Sequence, residues 1–185
     1  MFNLANKLTF LRILMAPVVV LALYFEGPVM CLVATGAFIF ASITDWADGY
    51  IARKENMVTS FGKFLDPLAD KVLICSVLIM FVHLGWVPAW VTIVIVCREL
   101  VVTGLRAMAI DEGIVLAADK FGKAKTVFQI IAIAPLLVHY PLLGFDPQPI
   151  GKILLYTALV LAVFSGFNYT YGFYRESFSR QRPQQ

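Results

Sequence analysis

Charge is scarce in this sequence. Of 185 residues only 15% are Asp, Glu, Lys or Arg and two are histidine, whereas 60% are hydrophobic and the mean hydropathy is +0.81. Soluble domains carry about 25% charged and about 45–50% apolar residues, so a water-soluble globular domain is excluded. Cysteine is as scarce: Cys31, Cys75 and Cys97 stand in apolar surroundings without Cys-x-x-Cys spacing. That argues against a disulfide framework or a zinc site and for packing roles. Internal repeats and low-complexity segments are absent. No small-residue cleavage site follows the first apolar run, and Lys7 and Arg12 lie inside it, so this segment reads as retained rather than as a signal peptide. A formal net charge of +3 says little by itself, and no nucleic-acid partner is expected.

What the chain does have is apolar runs of membrane-spanning length. Crossing a hydrocarbon core of roughly 30 Å takes about 20 apolar residues, which limits a chain of this size to six or seven spans. Met1–Arg12 alternates Phe2, Leu4, Leu8, Phe10 and Leu11 with Asn3, Asn6, Lys7 and Thr9, the pattern of a short amphipathic helix lying at the interface. Spans are expected at about 11–25, 29–51, 62–83, 89–110, from Thr126 to near Tyr140, and 150–171. Turn chemistry separates them at Glu26-Gly27-Pro28, Leu84-Gly85-Trp86-Val87-Pro88 and Pro141–Pro149. The expectation is an all-α integral membrane protein with six transmembrane helices, a single membrane domain over 1–175 and a polar tail over 176–185.

Cytoplasmic loops collect Lys and Arg. Lys7, Arg12, Arg53, Lys54, Lys63, Lys71, Arg98, Arg106, Lys120, Lys123, Lys125, Arg175, Arg180 and Arg182 fall toward one side of a six-span arrangement, and only Lys152 falls toward the other. Both termini are therefore expected in the cytoplasm, in a multi-pass protein of the cell membrane whose polar helix ends face the cytoplasm.

The acidic residues on that side are concentrated in one stretch. Asp45 and Asp48 are three apart and Asp66 and Asp70 four apart, so each pair shares one face of its helix, and a short loop joins the two helices. A carboxylate at the centre of a membrane helix costs about 2.5–3.5 kcal/mol, and two such charges 4 Å apart repel by roughly 4 kcal/mol at an effective dielectric of about 20. Arg53 alone cannot neutralise four. Hard divalent cations can, and Mg²⁺ or Mn²⁺ held by carboxylates against substrate phosphates is the usual solution, with two metals fitting this number of ligands. Gly49, Ala52 and Gly62 keep the helix surface open to a flat ligand such as a nucleotide. A divalent-cation channel or transporter is the competing class, but it requires polar residues across the whole bilayer, and the opposite halves of these spans are apolar.

The run Asp45-x-x-Asp48-Gly49-x-x-Ala52-Arg53-x8-Gly62-x3-Asp66-x3-Asp70 resembles, without a departure, the signature of the CDP-alcohol phosphatidyltransferase family. The resemblance implies a six-helix membrane fold, two divalent metals, a homodimer, and exchange of CMP for an alcohol on a CDP-linked lipid. It implies Asp45, Asp48, Asp66 and Asp70 as metal ligands, and Asp70 as general base. It also implies Asp48, Gly49, Ala52, Arg53 and Gly62 at the CDP group.

A second set of residues bears on the alcohol. Arg98 and Arg106 are eight apart, about two turns along one helical face, and Lys123 and Lys125 open the next span on the same side. Cations recessed in an apolar run suit a phosphate-bearing acceptor, Arg giving bidentate recognition. Glu99 can pair with one of these cations or with a helix neighbour; the sequence leaves both open. Asn6-x-x-Thr9-x-x-Arg12, Phe61–Lys71, Arg98-Glu99-Leu100 with Leu105-Arg106, and Gly122-Lys123-x-Lys125-Thr126 resemble the branch of the family that uses sn-glycerol 3-phosphate. That resemblance implies CDP-diacylglycerol as donor and phosphatidylglycerophosphate and CMP as products, with inositol phosphate or phosphatidylglycerol as alternative acceptors.

Overall fold

The computed structural model describes residues 4–55, 60–111, 120–141 and 144–181, with side chains from Thr9 onward except those of 45–55, 60–67, 70, 120 and 179–181. The described residues form six helices and no β-strand: α1 Leu4–Tyr24, α2 Pro28–Glu55, α3 Ser60–His83, α4 Ala89–Asp111, α5 Lys120–Val138 and α6 Gln148–Gln181. The all-helical expectation therefore holds. Phe121–Val138 and Gln148–Phe178 are long and apolar enough to cross a membrane, while Thr9–Tyr24, Pro28–Thr44 and Lys71–His83 are shorter apolar runs. The outward faces are apolar too, with Leu21, Val29, Ile79, Ile93, Val160 and Phe167 all exposed. A helix apolar all round belongs in lipid or in a large core.

Two expectations are revised. The stretch expected at the interface and the first span form one helix, α1, which runs unbroken from Leu4 to Tyr24. Its sequence has no glycine and no proline before Pro17, so nothing there stops a helix, and Thr9 and Arg12 are buried rather than laid on a surface. At the other end, α6 continues beyond Tyr171 to Gln181, carrying Arg175 as helix.

Extended packing joins α1 to α2, α2 to α5, α5 to α6, α6 to α4, α4 to α3 and α3 back to α1. The helices thus close a ring in the order 1-2-5-6-4-3. Although α2 and α3 follow one another in sequence, α1 lies against both of them. Inside the ring Val19, Phe38, Val77, Phe81, Ile95, Ile133 and Leu155 are among the side chains of one continuous core drawn from all six helices. Hydroxyls inside the apolar helices return their protons to the preceding turn: Thr35 Oγ1 to the Cys31 carbonyl at 2.7 Å, Ser42 Oγ to Phe38 at 2.9 Å and Thr44 Oγ1 to Ala41 at 2.8 Å. With no water to accept them, this is the nearest partner available.

Short turns fix the alternation of helix direction. After α3, Gly85 takes φ +72°, its N–H donates to the Val82 carbonyl at 3.1 Å and the Trp86 N–H donates to Phe81 at 2.8 Å. This is a Schellman cap, completed by the Phe81–Trp86 ring contact at 5.5 Å. His139, just past α5, stacks on Trp86 with ring centroids 3.7 Å apart, so this turn also holds the α5 exit.

Helices α5 and α6 approach each other closely at Gly151, where a Cβ would lie 2.7 Å from Leu136 Cγ and 3.1 Å from the Leu136 backbone N. Gly151→Ala is expected to destabilise the fold by about 1–3 kcal/mol, the usual cost of overpacking. Gly36→Ala, with nothing within 4 Å of its Cβ, should leave the thermal midpoint in detergent unchanged. Equal midpoints for the two variants contradict the α5–α6 contact.

Candidate functional site

Asp45 and Asp48 lie in the C-terminal part of α2, and Asp66 and Asp70 in the N-terminal part of α3. Their side chains, with Gly49, Ala52, Arg53 and Gly62, fall outside the described ones. Among the described residues no other group of His, Cys, Asp or Glu can hold a metal. The end of α2 leading into the acidic stretch borders an open apolar cavity of about 280 Å³, lined by Phe38, Ile39, Ser42 and Ile43 with Ile130 and Ala134 of α5.

The four cations expected to meet a phosphate divide into two kinds. Arg98 and Lys125 are held inside the bundle. Oε1 of Glu99 accepts from Lys125 Nζ and from Arg98 Nη1, the latter at 3.4 Å. Arg98 Nη2 donates to Ser165 Oγ at 2.5 Å and its Nε donates to the Ala162 carbonyl at 3.1 Å. The Ser165 hydroxyl in turn donates to that same carbonyl at 3.5 Å. One carboxylate oxygen and one turn of α6 therefore orient both cations and link α4, α5 and α6. Lys125 and Glu99 are buried, where an unpaired charge would be far costlier than this shared ion pair. Arg106 and Lys123, by contrast, are exposed. Arg106 Cζ sits 5.9 Å from the Tyr169 ring centroid of α6, a cation–π distance.

Sequence reasoning left the partner of Glu99 open and did not single out Ser165, Gly166, Gln129 or Tyr169. Arg12, read as cytoplasmic charge and as the end of the Asn6-x-x-Thr9-x-x-Arg12 motif, is 1% exposed. Gln129, one turn beyond Lys125 on the inward face of α5, is equally buried, and its Nε2 has no hydrogen-bond partner among the described residues. The available signal was polarity out of place, a Gln, a Ser and an Arg inside apolar helical runs, which in a membrane protein marks function by default.

The described helices form a ring that carries an acidic stretch on α2 and α3 and a buried cation network tying α4, α5 and α6, with apolar outward faces suited to a membrane. The chain belongs to the CDP-alcohol phosphatidyltransferase family, whose model matches residues 2–164. Among its relatives, the CDP-diacylglycerol–glycerol-3-phosphate 3-phosphatidyltransferase of Bacillus subtilis is 46% identical over 184 residues, covering 91% of this chain and 94% of the relative. The enzyme of the same name from Rickettsia felis is 39% identical, covering 90% and 93%. A probable phosphatidylglycerophosphate synthase of Mycobacterium tuberculosis is 44% identical, covering 90% and 79%.

The shared carboxylate yields a stability prediction. Lys125→Met leaves Glu99 buried with Arg98 alone and is expected to cost about 3 kcal/mol, the low end for a broken buried pair because one partner remains. Lys123→Met, on an exposed side chain, should cost nothing measurable. The check is thermal unfolding in detergent, and a Lys125→Met midpoint equal to wild type contradicts the buried pairing.

Proposed function

We propose that this chain transfers the phosphatidyl group from CDP-diacylglycerol to sn-glycerol 3-phosphate, releasing CMP and forming phosphatidylglycerophosphate. The observation that carries the reading is the pairing of two sets of residues in one small bundle: the complete carboxylate motif on α2 and α3, and four cations on α4 and α5. The names of the relatives support the same donor and acceptor. A phosphorylated acceptor needs cations; choline or ethanolamine does not. In the cell membrane the six helices act as six spans, with termini and site on the cytoplasmic side where nearly all Lys and Arg collect. The family expectation is a homodimer.

The donor set fits hard divalent cations, Mg²⁺ or Mn²⁺, because it is made of carboxylates alone. Asp45, Asp48, Asp66 and Asp70 would hold two such ions, which when bound neutralise the pyrophosphate and the departing CMP. The remaining work falls to the chain's own residues. Gly49, Ala52 and Gly62 leave room for the CDP group, with Asp48 and Arg53 beside it. Arg98, Arg106, Lys123 and Lys125 bind the phosphate of the acceptor and so orient its free hydroxyl. Asp70 takes the proton from that hydroxyl, and the oxygen attacks the lipid-side phosphorus as the bond to CMP breaks. The apolar cavity beside the end of α2 suits a hydrocarbon chain of the donor.

The purified protein with CDP-diacylglycerol should release CMP with glycerol 3-phosphate and not with serine, inositol or glycerol. No release with glycerol 3-phosphate, or release with inositol phosphate or phosphatidylglycerol instead, overturns the acceptor assignment. Asp70→Asn should abolish turnover while keeping part of the metal binding, measured by Mn²⁺ titration. Turnover by Asp70→Asn within tenfold of wild type removes Asp70 as the base.

A further inference from the structure

We propose that Glu99 and Ser165 are positioning residues for the acceptor: together they hold Arg98 and Lys125 at a fixed spacing as a preformed phosphate receptor. The inference rests on the acceptor-phosphate reading above and extends it to residues on α4 and α6 that bind no substrate themselves.

Geometry supports a receptor rather than a closed structural salt bridge. Among the described residues two cations, Arg98 and Lys125, meet one carboxylate, Glu99, so one positive charge is left over. Glu99 also spends a single oxygen, Oε1, on both inner cations. A bridge built only for stability tends toward charge balance, because unbalanced buried charge is costly. Arg98 has five N–H donors. Its described partners take one each, through Nε to the Ala162 carbonyl, Nη1 to Glu99 and Nη2 to Ser165. One N–H on Nη1 and one on Nη2 therefore remain for an anion. The guanidinium is gripped at three points yet keeps two donors, which is how a side chain is oriented for a ligand without being consumed by the protein.

The backbone of α6 is shaped to the same end. Where the Arg98 stem crosses α6 the residue is Gly166, and a Cβ there would lie 3.0 Å from Arg98 Cγ and 3.6 Å from its Nε. The adjoining Ser165 is 1% exposed and has its hydroxyl direction set by the Ala162 carbonyl. Thr103 Oγ1 closes onto the Glu99 carbonyl at 2.6 Å, steadying the same turn of α4. Without the Glu99 charge, Arg98 and Lys125 repel and their separation is no longer defined. Without the Ser165 hydroxyl, the guanidinium can rotate about its Nε anchor.

The test is steady-state kinetics of the full-length protein in detergent–lipid micelles, varying glycerol 3-phosphate and CDP-diacylglycerol separately. Glu99→Gln should raise the acceptor KM about tenfold or more while the donor KM stays within about twofold and kcat falls little, the signature of lost ground-state and transition-state binding together. Ser165→Ala, which removes no charge and is expected to fold, should raise the acceptor KM about threefold to fivefold. Gly166→Ala, which crowds the Arg98 stem, should act in the same direction. Loss of kcat with an unchanged acceptor KM in Ser165→Ala and Gly166→Ala, whether or not Glu99→Gln folds, overturns the inference and leaves a structural bridge. Arg98→Ala and Arg106→Ala separate the two levels of the argument. If they raise the acceptor KM and Ser165→Ala does not, positioning fails and the phosphate site stands. If they too leave it unchanged, the phosphate site itself is misplaced.

Discussion

The packing of α4, α5 and α6 at the polar end of this bundle depends on one carboxylate oxygen, Oε1 of Glu99, which holds Lys125 of α5 and Arg98 of its own helix. In an apolar interior a charge cannot be left to solvent, so each cation must find an anion, a carbonyl or a hydroxyl. Glu99, the Ala162 carbonyl and Ser165 Oγ supply these, and in doing so they bind α4, α5 and α6 into one rigid corner. The order of the helices follows. Because α6 carries the acceptors for Arg98, it lies between α4 and α5, and the ring closes through α1, α2 and α3 on the far side.

That arrangement separates the two halves of the chemistry. The acidic stretch belongs to α2 and α3 and the cation network to α4, α5 and α6, on different walls of the same bundle. Under the proposed function the donor pyrophosphate lies against the first wall and the acceptor phosphate against the second, with the acceptor hydroxyl between them. Rigid walls are what such a transfer needs, since most of the barrier reduction available to a displacement at phosphorus comes from orientation and charge neutralisation.

Much of the fold could be read from the sequence, because each helix is an apolar run closed by recognisable turn residues. Gly85 at positive φ and Trp86 packed on Phe81 are the cap that the Leu84–Pro88 turn suggested. Neighbour relations were harder: a short link made α2 and α3 natural partners, yet α1 packs on both, and nothing local to the 56–59 link encodes that. At the start of the chain the alternation of Met1–Arg12 fits an interfacial helix as well as the first turns of a longer one, and in the structure α1 runs on from Leu4 to Tyr24 with Thr9 and Arg12 buried. At the site, charge was legible and its wiring was not. Arg98, Arg106, Lys123 and Lys125 stand out against apolar neighbours, but Ser165 and Gly166 are ordinary residues whose meaning comes from the Arg98 stem crossing them. The four aspartates stand out in the sequence because their spacing is long and particular.

The central claim is that the cations on α4 and α5, spaced by Glu99, recognise the acceptor through its phosphate. Equilibrium binding of radiolabelled sn-glycerol 3-phosphate and of glycerol to the purified protein, in the presence of Mg²⁺ and at two ionic strengths, addresses it without turnover. Glycerol 3-phosphate is expected to bind at least about tenfold more tightly than glycerol, a gain of about 1.4 kcal/mol, and to weaken as salt screens the exposed cations. Equal affinity for the two alcohols would contradict the account.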